Sequence, residues 1–191
     1  MPSPDATIRL CAAFPAAIGP DVRAALRHVP ASDHAPSEQD IGPIQIAGEH
    51  LHIPYRIYAA EPDSLNWKTV GRQQGLVLCA LYTRHHDGYV REKYIKVLLS
   101  AEEEWVAPFV IQMLGEYVVE IVQLLEPHVA HLSSESYLRF LKENQLFFSL
   151  TRQRLVSYWD CYYRSQFPRL EDYPAFRVVE VLSRRLQGHL V

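Results

Sequence analysis

The chain is poor in the residues that staple or cradle. It has three cysteines in 191 residues. Cys11, Cys79 and Cys161 stand far apart, in no metal-binding spacing, so neither a disulfide framework nor a cysteine zinc site is expected, and reduced thiols suit a cytoplasmic protein. There are eight glycines, and none builds Gly-x-Ser-x-Gly or a phosphate-cradling loop. Gly71 to Gly75 frames polar residues but lacks a strand before it and Lys-Ser/Thr after it. Basic excess is missing too: 19 Lys and Arg face 22 Asp and Glu, a net charge of -3, which argues against a general nucleic-acid binder. No basic leader precedes the apolar stretch Leu10 to Ile18, and Pro15 breaks it, so a signal peptide is not expected.

Long apolar runs are also scarce. The one that nears bilayer length is Pro108 to Leu125, and two glutamates inside it argue for a buried helix over a membrane span. Its polar residues are Gln112, Glu116, Glu120 and Gln123. At about 100° per residue they fall within an arc of about 80°, so this stretch predicts a central helix, apolar nearly all round, with one thin polar line. Pro108 suits its first turn and Pro127 stops it.

What is present is ordinary for a globular chain: 48% hydrophobic and 21% charged residues, enough to build a core without staples. Residues 1–43 are punctuated by prolines and read as an arm with one short helix, Asp21 to Val29. Residues 44–58 alternate with period two. Ile44, Ile46, Leu51, Ile53, Tyr55 and Ile57 alternate with Gln45, His50, His52, Pro54 and Arg56, and a turn at Ala47-Gly48-Glu49 makes a hairpin. Pro54 cannot donate to a ladder and predicts an edge.

From there the pattern is helical. A helix is predicted from Asn66 to His85 and a second, capped by Asp87, to Leu99. Ser100 and Glu103 have capping-box spacing. Ser133 or Ser134 opens a further helix, and residues 134–166 fit either one helix or two. Asp172 and Pro174 open a last helix through Leu186. The fold class is therefore mainly α, a single-domain bundle of antiparallel helices over residues 44–191 with an N-terminal β-hairpin. Residues 70–99, a helix, the Asp87 turn, Val90-Arg91 and then Leu98, resemble one unit of a HEAT-type helical repeat, although paired antiparallel helices of any origin give the same spacing.

Four places could carry chemistry. His85 and His86 precede Asp87, but adjacent helical residues diverge by about 100°, and positive charge at a helix end is a sufficient reading. His50 and His52 share one face of a strand, as two metal ligands would, or are simply exposed. Glu116 and Glu120 sit at i, i+4, the spacing of carboxylate-bridged metal sites; no predicted helix carries the Glu-x-x-His such sites want, and Arg91, Arg152 or Arg154 are alternative partners. Tyr137 to Phe176 is dense in aromatics interleaved with arginine. Tyr158, Trp159, Tyr162, Tyr163 and Arg164 are the residue types enriched at protein interfaces, and also those that line an aromatic core. The expectation is a small cytoplasmic interaction or scaffold protein without catalysis, binding a protein partner or itself, with no membrane, no cofactor and little call for nucleic acid. The rival is a metal-dependent enzyme or ligand-binding helical protein that uses Glu116 and Glu120 with histidines.

Overall fold

A computed structural model describes residues 1–62 and 70–188. It is mainly α-helical, with a two-stranded antiparallel sheet near the N-terminus. The chain forms two compact units, Met1–Ala101 and Glu102–Val191. The boundary expected at residue 43 is not where it divides.

In the first unit the proline-rich stretch is folded. Helix α1 spans Pro4–Cys11 and α2 spans Gly19–Leu26. The prolines begin these helices, because a first-turn residue needs no N–H. Ser3 caps α1, its hydroxyl accepting the Ala6 N–H at 3.2 Å. Leu10, Phe14, Val22, Leu26 and Val29 are buried, so the helical part of this stretch packs into the core, while residues 31–35 are exposed.

Strands β1 (Ile44–Ile46) and β2 (Glu49–Leu51) pair as predicted, Ile44 opposite Leu51. Ala47 and Gly48 both take positive φ, as a two-residue hairpin turn demands. Backbone bonds extend the pairing outward: Ile41 N–H to Ile53 O at 3.0 Å and Tyr55 N–H to Gln39 O at 2.7 Å, with Pro54 opposite Asp40. Ile44, Ile46, Leu51, Ile53 and Ile57 are buried while His50 and His52 are exposed, the period-two pattern made physical; it lapses at Pro54, which is buried, and Tyr55, which is half-buried.

Helix α3 spans Arg72–Tyr82. The predicted start at Asn66 lies outside the described residues. Its end falls short of His85, because residues 84–86 leave the helix to pair with Ile57. Each residue from Leu76 to Tyr82 is buried, since α3 packs against both α2 and the next helix, α4, Gly88–Leu98. Asp87 caps α4 as expected, accepting the Tyr89 N–H at 2.8 Å.

The second unit overturns the continuous central helix. Glu104–Val106 is a single 3-10 turn, and Glu103 at its N-cap makes no capping bond. Ser100 instead donates to Val97 O at 3.1 Å, so the capping box is not used. Helix α5 is only Ala107–Ile111, tightening into a 3-10 turn over Gln112–Gly115. The chain then runs extended, Glu116 at φ -92, ψ 147, before α6, Val119–Leu125. Every residue from Trp105 to Glu116 is nonetheless buried. An all-apolar run declares burial on all sides, not the regularity of the backbone.

Short α7 (Val129–Leu132) leads to α8 (Glu135–Glu143), with Ser134 at the N-cap. Residues 134–166 are more than one helix. Asn144 leaves helical geometry at φ -122, ψ 46, its side chain donating to Phe140 O at 2.8 Å. Helix α9 follows over Gln145–Tyr158 and passes into a π-helical turn, Trp159–Tyr163. Helix α10 (Pro174–Gly188) packs on α6, α8 and α9. Phe140, Leu141, Phe147, Leu155, Val178 and Leu182 form the core there. Among the described residues no helix is long and apolar enough to cross a membrane.

Candidate functional site

The five interface candidates lie together on the π-helical turn and its two flanks. A π turn inserts an extra residue into a helix, and such turns recur at functional sites. Here its last residue is tied to the break in the central segment. The Tyr163 hydroxyl donates to the Tyr117 carbonyl at 2.5 Å and accepts the Val119 N–H at 3.3 Å. One side chain thus supplies bonds that a continuous helix would have made internally. The Tyr163 ring stacks on Tyr173 at 5.9 Å, and Phe167 meets Tyr173 edge-on at 5.5 Å. Tyr117, Tyr158 and Tyr162 continue the aromatic contacts outward at 6.1–6.2 Å.

These residues divide by task. Trp159 is half-buried, its indole N–H donating to Phe167 O at 2.8 Å. Arg164 lies over the Trp159 ring at 5.2 Å and pairs with Asp160 at 2.8 Å. Tyr163 is half-buried and structural. Tyr162 is 65% exposed. Burial pushes both the Tyr163 and the Tyr173 phenols above their usual range, so both stay neutral at physiological pH. The earlier half of the aromatic stretch is core: Tyr137, Phe140, Phe147 and Phe148 are buried.

Beside the turn, α9 carries an open groove of about 550 Å³ lined by Ser149, Arg152, Gln153, Val156 and Trp159 among others. Val156 is 40% exposed. Sequence reading missed this groove. Val156 continues an apolar helical pattern, and nothing local reveals that its face is left open.

The polar line does not survive as a line. Gln112 and Glu116 are buried, whereas Glu120 and Gln123 are exposed. The chain turns extended between the two glutamates, so they do not share a helix face and the i, i+4 metal geometry is lost. Glu116 accepts the Tyr117 N–H at 2.9 Å, capping the broken backbone. Arg154 donates to Leu150 O at 3.3 Å, and Arg91, in the first unit, donates to the carbonyls of His85 and His86 at 2.9 Å each.

The histidines are equally dispersed in role. His52 Nδ1 lies 3.0 Å from Asp40, which also pairs with Arg9. The His85 and His86 rings are 4.3 Å apart, the first buried and the second exposed. Among the described residues no group of three or more His, Cys, Asp or Glu could hold a metal ion.

The chain matches no family model, no curated protein and no solved structure.

His85 carries a consequence for stability. Its Nδ1 accepts the Asp87 N–H at 3.1 Å, a bond that an imidazolium, with both nitrogens donating, cannot keep. Burial first, and then His86, hold its pKa below the ordinary 6.5, against the opposing pull of Asp87 and Glu61. The folded state therefore takes up this proton less readily than the unfolded chain. The contribution is complete above the unfolded value and is lost as pH falls below it. Thermal denaturation is expected to shift downward between about pH 7.5 and about pH 5.5, with a flatter profile in His85→Gln. An equal slope in wild type and variant would place the pH dependence elsewhere.

Proposed function

We propose that the protein acts as a cytoplasmic interaction protein without chemistry of its own, using the surface around the π-helical turn Trp159–Tyr163 to bind a protein partner, a second copy of the chain included. The observation that carries this reading is the turn itself. Tyr158, Trp159, Tyr162 and Arg164 gather on an irregular helical segment that Tyr163 anchors from beneath. Tyrosine, tryptophan and arginine are the residue types enriched among those that carry most of the binding energy at interfaces. The adjoining groove on α9 offers concavity next to them.

Trp159 and Tyr163 are poor test positions, because both hold the turn together. Tyr162 is the better one. Tyr162→Ala is expected to change folding stability by no more than about 0.5 kcal/mol, and to weaken association by about 2 kcal/mol, roughly thirty-fold. Light scattering on the purified chain and affinity capture with wild type against Tyr162→Ala provide the measurement. A strict monomer whose captured partners are unchanged by Tyr162→Ala and by Arg164→Ala would end this reading.

A further inference from the structure

We infer that the first unit holds a binding site for a small aromatic amine. A cavity of about 200 Å³ lies between α1, the residues after α2, the segment 57–59 and α3. Its inner wall is apolar: Leu10, Val29, Ile57 and Leu81 are each no more than 3% exposed. Packed interiors rarely leave voids larger than a water molecule. An apolar cavity of roughly 150 Å³ takes a benzene-sized guest, so this one has room for a ring with a short substituent.

The mouth sets the sign of the substituent. Asp33 is the carboxylate that lines it, and among the described residues no lysine or arginine does. Tyr58 also lines the cavity, with His34 edge-on at 5.9 Å and His86 stacked at 5.5 Å, and a tyrosine ring attracts a cation. The turn that carries Asp33 is held by Ser32, whose hydroxyl donates to His34 O at 3.0 Å and accepts the His34 N–H at 3.2 Å. A ring seated against Leu10 and Leu81 places its ammonium at Asp33 and Tyr58. A carboxylate at the same place meets like charge.

Three shape-matched probes test this: 2-phenylethylamine, 2-phenylethanol and 3-phenylpropionate, each titrated by amide-resolved NMR and by thermal shift. The amine is expected to bind saturably, perturbing Leu10, Tyr58 and Leu81, and about ten-fold more tightly than the propionate. Asp33→Asn, at an exposed position, is expected to remove about ten-fold from amine binding and nothing from 2-phenylethanol. Ala6→Phe fills the cavity and is expected to abolish binding of all three. The inference fails if no probe binds at millimolar concentration, if the propionate binds as well as the amine, if Asp33→Asn leaves amine affinity intact, or if a folded Ala6→Phe still binds. Should Ala6→Phe not fold, the Asp33→Asn comparison decides alone.

Discussion

Replacing Gly115 with valine is expected to lower stability by about 2–3 kcal/mol, and with alanine by about 1 kcal/mol. A Cβ at Gly115 would stand 3.1 Å from the Thr151 carbonyl oxygen, 3.3 Å from Arg154 Cβ and 3.4 Å from Thr151 Cγ2. The nearest of these is backbone of α9, in mid-helix, with Thr151 itself buried and its hydroxyl bonded to Phe147 O at 3.0 Å. It cannot swing away as a side chain would, so the added methyl must push two elements apart. A continuous helix over Pro108–Leu125 predicts the reverse sign. There Gly115→Ala would stabilise by up to about 1 kcal/mol, alanine being the better helix former. Urea denaturation separates the two, provided the m-value is unchanged so that the midpoint reports stability alone.

Tyr163→Phe is expected to cost about 1–3 kcal/mol, while Tyr173→Phe is expected to be neutral or slightly stabilising. The rings are stacked partners in the same aromatic cluster, and the two substitutions remove the same atom. What differs is what that atom does. The Tyr163 hydroxyl bonds both the Tyr117 carbonyl and the Val119 N–H across the break. Its loss leaves a donor and an acceptor short of a partner in a half-buried place. The Tyr173 hydroxyl is buried with no hydrogen-bond partner among the described residues, so its removal relieves a desolvated group. Equal effects of the two substitutions would mean that Tyr163 contributes ring packing and not the bridge. Because the bridge anchors the π turn, Tyr163→Phe should also weaken association, and Tyr173→Phe should not.

The features legible in the sequence are those whose cause is local. Asp87 caps α4 through a contact two residues away. The hairpin reads from alternation because one face is buried and the other is not. The class of residue at 158–164 was legible, but its π geometry was not. That geometry is tied to a bond between residues 46 apart in sequence, and no local pattern encodes it. The central run misled because its apolar residues report burial, which is real, and not periodicity, which fails after Gly115. The glycine was the available signal. It marks a close backbone approach, whereas a helical reading treats it as merely tolerated. Helix α1 is hidden for the opposite reason: the density of prolines over residues 1–43 suggests an irregular arm, whereas Ser3-Pro4-Asp5 is a helix start. The groove beside Trp159 and the cavity above Leu81 depend on what other elements leave uncovered, and a single strand of sequence carries no record of that.

Site-specific photo-crosslinking at position 162, with Tyr89 as control, reads contact at the π turn itself. Tyr89 is 86% exposed on α4 and belongs to the other unit of the chain. If the π turn is the contact surface, position 162 gives one discrete product, mapped by mass spectrometry to a defined segment of one protein or of a second copy of this chain. That product should fade in Arg164→Ala and be missing from position 89. No product from position 162, or the same products from both positions, would contradict that reading.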